Sequence, residues 1–122
     1  MKQYKIWHPV MNRFVTDECY IRASDGELFS YEADYGGTFS SHEKLEKVNG
    51  VLVRWTGCYD KNRTPIYEGD IVEIGDRKKE VIFNIGMFYI DENYGDIVPI
   101  SEVDNIIKVI GNIFENPELL KV

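Results

Sequence analysis

Thr56-Gly57-Cys58-Tyr59-Asp60-Lys61-Asn62-Arg63-Thr64-Pro65-Ile66-Tyr67-Glu68-Gly69-Asp70-Ile71-Val72 decides the fold, because turn formers and strand formers alternate through it. Glycines at 57 and 69 permit positive φ, Asp60-Lys61-Asn62 can close a turn through side-chain to backbone hydrogen bonds, and Pro65 favours an extended re-entry. On either side, Val51-Leu52-Val53-Arg54-Trp55, Ile71-Val72-Glu73-Ile74, Glu80-Val81-Ile82-Phe83-Asn84 and Met87-Phe88-Tyr89-Ile90 read as short strands. Reversals fall at Gly75-Asp76 and Asn84-Ile85-Gly86, and residues 106–114 supply a last long strand with Gly111 as a bulge. Short strands with short connections predict a mainly β fold, a small barrel-like folded antiparallel sheet with at most short helices. The run from Tyr67 to Ile90 has an arrangement found in SH3-like barrels.

Upstream the pattern is looser. Tyr4-Lys5-Ile6-Trp7 and Arg13-Phe14-Val15-Thr16 predict a hairpin with Asn12 near its turn, and Ser24-Asp25-Gly26 predicts a second between 19–22 and 27–31. Ser40-Ser41-His42-Glu43 has the form of a capping box, which predicts a short helix over 41–47. Its apolar content is so low that a surface turn or loop is an equal alternative. At the other end Asn116 and Pro117 open a helical turn as cap and first helical position.

The length of 122 residues suits one domain, read as 1–122, with hairpins and a variable loop over 1–50 and the barrel-like region over 51–122. Twenty-one acidic against fourteen basic residues give a net charge of −7, which opposes a phosphate backbone, so direct nucleic-acid binding is not expected. The one basic run, Arg77-Lys78-Lys79, reads as a solvated hairpin tip. No apolar run is long enough to span a membrane and the amino terminus lacks the apolar core of a signal peptide, so a cytoplasmic protein is expected. Cys19 and Cys58 are too few and too far apart for a zinc cluster and read as ordinary thiols.

Two segments carry a resemblance: Trp55-Thr56-Gly57 through Tyr67-Glu68-Gly69-Asp70-Ile71-Val72, and Val109-Ile110-Gly111-Asn112-Ile113-Phe114-Glu115-Asn116-Pro117-Glu118-Leu119-Leu120. They are similar to the YopX protein family of phages and prophages, whose pattern runs roughly Tyr-Thr-Gly-Leu-x-Asp-Lys-Asn-Gly, then Ile-Tyr-Glu-Gly-Asp-Ile-Val, then Ile-Gly-Asn-Ile-Tyr-Glu-Asn-Pro-Glu-Leu-Leu. Lys5-Ile6-Trp7 fits the family's aromatic opening, while residues 17–50 align poorly. Trp55, Cys58, Arg63 and Phe114 stand where the pattern has Tyr, Leu, Gly and Tyr, and Arg63 falls where a turn would favour glycine. The resemblance implies a largely β, prophage-associated protein and no established activity.

Motif residues read first as architecture. Thr56, Gly57, Asp60, Gly69, Asp70, Gly111, Asn112, Asn116 and Pro117 are the turn, bulge and cap positions of the matching segments. His42-Glu43-Lys44-Leu45-Glu46 lacks the second histidine of a zinc-protease helix, and with His8 the only other histidine, no triad or multi-histidine metal site is expected. Asp91-Glu92-Asn93-Tyr94-Gly95-Asp96 lacks the spacing of a calcium loop and reads as a solvated loop. No nucleophile elbow or phosphate loop is present, so neither an enzyme nor a cofactor is expected.

The surplus of aromatics offers a recognition surface, with Trp55, Tyr59, Tyr67 and Phe88 as candidate partner-binding residues beside Tyr89, while strand alternation makes core packing the reading for about half of them. The expected function is a protein-protein interaction or self-assembling module, an oligomer whose subunits cover an exposed edge, with the protein partner unidentified. The alternative is an acidic DNA mimic that occupies the groove of a host nucleic-acid-binding protein. A small hydrolase would need a pocket joining Asp70 to His8 or His42.

Overall fold

Glycine and β-branched residues divide the chain finely, and the computed structural model follows that division. It describes residues 3–15, 19–21, 24–25, 28–32, 44–47 and 50–121. The strands are β1 Tyr4–His8, β2 Arg13–Phe14, β3 Cys19–Ile21, β4 Leu28–Glu32, β5 Lys44–Lys47, β6 Val51–Tyr59, β7 Pro65–Tyr67, β8 Asp70–Ile74, β9 Arg77–Glu80, β10 Ile82–Asn84, β11 Met87–Asp91, β12 Ile97–Pro99 and β13 Lys108–Asn112. One α-helical turn, α1 at Ile100–Val103, and one 3-10 turn at Pro117–Leu120 complete the order. The fold is mainly β, with antiparallel pairing.

Two compact units divide these elements. In the unit of residues 6–51, β1 pairs with β2 through Trp7 opposite Phe14, and the two rings meet edge to face at 5.0 Å. Asn12 turns that hairpin at φ 54, and the Met11 N–H donates to Nδ1 of His8 at 3.1 Å. A separate sheet runs β3-β4-β5, so Lys44–Lys47 is a strand and the helix expected over 41–47 does not form there. Backbone pairing with β4, Tyr31 opposite Leu45, outweighs the local capping signal. Residues 41–43, His42 among them, lie outside the described residues.

The other unit combines residues 1–5 with 52–122. Its core is Ile66, Val72, Ile74, Val81, Ile90, Ile100, Val103 and Ile107, buried aliphatics at about 25 cal/mol per Å2 removed from water. Strand β8 lies between β13 and β9, and Asp70, Ile71, Val72 and Ile74 on it are all buried while Glu73 is exposed. The register slips between Val109 and Gly111, where the bulge was expected. A second sheet runs β10-β11-β12.

Several sequence expectations shift at their boundaries. The run 80–84 is broken at Val81, whose N–H and C=O pair with Asp70 and Gly69. Arg77, Lys78 and Lys79 lie on β9 opposite Ile74, Glu73 and Val72, so the hairpin tip is Gly75-Asp76 and not the basic run. The last strand begins at Lys108, because the Ile106 N–H closes the turn after α1 on the Val103 carbonyl. No helix among the described residues is long and apolar enough to cross a membrane.

Candidate functional site

Strand β6 carries an insertion that shapes its aromatic face. Trp55 pairs with Tyr67 and Tyr59 with Pro65, so four steps on β6 match two on β7. The extra residues fold out at Gly57, φ 85, with no atom near the position a Cβ would take. Thr56 repairs the ladder: its hydroxyl donates to the Ile66 carbonyl at 2.7 Å and accepts from the Cys58 N–H at 3.1 Å. The bulge brings Trp55 and Tyr59 edge to face at 5.7 Å, and the indole N–H donates to the Cys58 carbonyl. Beside them Tyr67 is buried with Lys5 Nζ 4.2 Å above its ring. Burial, then the Asp70 charge, raises the Tyr67 phenol, and burial followed by the Asp104 charge raises the half-buried Cys58 thiol.

Trp55, Tyr59 and Tyr67 are therefore neighbours, and of the three only Tyr59 is substantially exposed. Phe88 belongs elsewhere. Its ring lies tilted against that of Phe83 across β10 and β11 at 4.6 Å and packs against the core. Arg54 lies 4.9 Å above Phe83 and pairs with Glu68 at 3.1 Å.

Two aspartates sit buried at the joints of this unit. Asp60 Oδ1 accepts the N–H groups of Asn62 and Thr64, and Oδ2 accepts the Val109 N–H, each at 2.8 Å, which ties the β6–β7 turn to β13. Burial pushes this carboxyl up, yet the three N–H donors with Lys108 reverse that, and its pKa is lowered. Asp70 Oδ2 accepts the Tyr67 N–H at 2.8 Å. Here burial prevails, opposed by that bond and by Lys5 and reinforced by the Asp60 charge, and the carboxyl is raised to about 6.

Gly69 stands in the tight turn between Tyr67 and Asp70, φ 80, with Phe114 packed where a Cβ would project. Asn112 Oδ1 accepts from the N–H groups of Phe114 and Glu115. Asn116 does not cap the 3-10 turn through its side chain as expected; its Oδ1 instead accepts the Asn112 N–H, and Pro117 occupies the first helical position. Gly111 leaves room for that closure.

The acidic loop is more ordered than its composition suggests. Asp91 accepts the N–H groups of Asn93 and Gly95, and Glu92 pairs with Arg77 at 2.7 Å. Among the described residues no group of three His, Cys, Asp or Glu side chains could hold a metal ion.

The sequence places Ile85 in a reversal and Tyr94 in a loop, and marks neither as a site residue, yet the geometry singles both out. Ile85 and Tyr94 are non-glycine residues in the left-handed region, φ 54 and 44, and are exposed at 88% and fully. Both turn the β10-β11-β12 sheet, at opposite ends of β11. The available signal was an apolar side chain directly before glycine, in Ile85-Gly86 and Tyr94-Gly95.

The family model described as YopX protein matches residues 4–121. The chain belongs to the YopX protein family. The crystal structure of protein yopX from Bacillus subtilis is 24% identical, at a TM-score of 0.65, over 98% of this chain and 95% of that one. That of protein EF1440 from Enterococcus faecalis is 21% identical, at a TM-score of 0.62, over 98% and 97%. No curated protein matches. In this YopX chain the motif residues Thr56, Asp60, Asp70, Asn112 and Asn116 each hold backbone groups.

Proposed function

We propose that this YopX-family protein is a non-enzymatic, prophage-encoded module that acts in the bacterial cytoplasm through protein contact, self-association included. The observation that carries the reading is Ile85. A β-branched residue at positive φ is disfavoured by about 1–2 kcal/mol, and the side chain is 88% exposed at a reversal that Asn-Gly would form without strain. Strain held at an exposed apolar position suggests a contact outside the chain. Tyr94 repeats the arrangement at the other end of β11. The Asp60 carboxylate is taken up by three backbone N–H groups, which supports a structural role for that motif residue. The prophage setting rests on the family resemblance. An acidic DNA mimic draws less support, because Asp60 and Asp70 are buried and Glu68 and Glu92 are paired with arginines.

The test is Ile85→Asn. It restores the favoured turn, so thermal stability rises, while self-association in sedimentation velocity and retention of a partner from host lysate both fall. Higher stability with contacts unchanged would remove Ile85 from the interface and this reading with it.

A further inference from the structure

The two buried aspartates of this unit differ in how deeply the carboxyl sits and in how many donors it meets, Asp70 lying deeper. As whole residues Asp60 and Asp70 are 5% and 4% exposed, and the structure gives Asp60 three backbone N–H donors and Asp70 the Tyr67 N–H. A carboxylate taken from water is stable as an anion when several donors replace its hydration, and favours its neutral form when they are few. Asp60 therefore stays charged, and its charge acts on Asp70 as a fixed like neighbour.

The position of Asp70 makes its protonation consequential. Its carbonyl accepts the Val81 N–H, the adjoining Gly69 N–H donates to the Val81 carbonyl, and the Gly69 carbonyl accepts the Ile113 N–H. One tight turn thus joins β7, β8, the β9–β10 junction and the segment after β13. The titratable and charged groups around the Asp70 carboxyl are Lys5 from β1, Tyr67 from β7 and Asp60 from the β6–β7 turn. From β13 the register partner is uncharged Asn112, and the β9–β10 junction presents Val81.

We propose that Asp70 is a proton-operated latch on this joint, its carboxyl neutral in the tightened form and charged in the looser one. The sign follows from linkage. A carboxyl raised from its ordinary value of 3.8 to about 6 destabilises the fold fully above 6, and that penalty is relieved as the pH falls from 6 towards 4. The relief corresponds to roughly a hundredfold in the folding equilibrium, at tenfold per unit. The device is independent of the contact role of Ile85.

Two measurements on the full chain test it. In the wild type, the Asp70 carboxyl carbon followed by NMR titrates near pH 6. Hydrogen-exchange protection at the Val81 and Ile113 amides, corrected for intrinsic rates, is higher at pH 5 than at 7.5. In Asp70→Asn, the neutral isostere, that protection is flat across this range and stability at pH 7.5 exceeds wild type. A carboxyl titrating below pH 4.5, or wild-type protection that ignores its titration, would overturn the latch even if the variant failed to fold.

Discussion

Arg63 stands at φ 65, a conformation that costs an ordinary L-residue about 1–2 kcal/mol. Its backbone N–H donates to the Asp60 carbonyl while the Asp60 carboxylate holds Asn62 and Thr64, so the turn is imposed by aspartate whatever residue occupies 63. Glycine would adopt that φ freely, though its larger entropy loss on folding returns about 0.5–1 kcal/mol. Arg63→Gly is therefore expected to stabilise the chain by about 0–1.5 kcal/mol, and Arg63→Ala, which keeps the Cβ, to leave it unchanged. Denaturant midpoints of both variants at one pH check this. A loss of stability in Arg63→Gly would mean that the arginine side chain contributes more than its backbone strain removes.

At the scale of elements, the joint between β13 and the 3-10 turn is defined by a missing side chain. A Cβ at Gly111 would lie 2.7 Å from Asn116 Oδ1 and 2.8 Å from Leu119 Cδ1, and moving Asn116 would break its bond to the Asn112 N–H. Gly111→Ala is expected to destabilise by about 1–3 kcal/mol, the range for overpacking a closed site, and to lower protection at the Asn112 amide specifically. At Gly57 the space is open and only the backbone is constrained, so Gly57→Ala lowers stability without that local signature. This contrast marks what the sequence could reveal. Turns, bulges and the mainly β class were legible because Gly, Asn, Asp and Pro act locally, as at Gly75-Asp76 and Gly111. Strand β5 was not legible, since Lys44–Lys47 pairs with residues 29–32. The four-residue α1 is too short to show a helical period. The candidate site was legible only in part: Trp55, Tyr59 and Tyr67 are neighbours through the β6 bulge, whereas the exposure of Ile85 depends on φ and solvent access that residue type does not encode.

For the whole molecule, charge and apolar exposure oppose each other. A net charge of −7 makes copies of the chain repel at low ionic strength, while Ile85, Tyr94 and Ile97 leave apolar surface on one sheet's turns and edge. Salt shortens the Debye length from about 30 Å at 0.01 M to about 8 Å at 0.15 M, which removes the repulsion without weakening apolar contact. If copies associate through that sheet, the associated fraction in sedimentation velocity rises between about 0.01 and about 0.15 M salt, as the Debye length shortens about fourfold. It rises less in Ile85→Asn, whose charge is unchanged. Association that instead falls with salt would identify charge pairing as the adhesive force and would move the interface to Arg77, Lys78 and Lys79 on β9, the concentrated cationic run of an otherwise acidic chain.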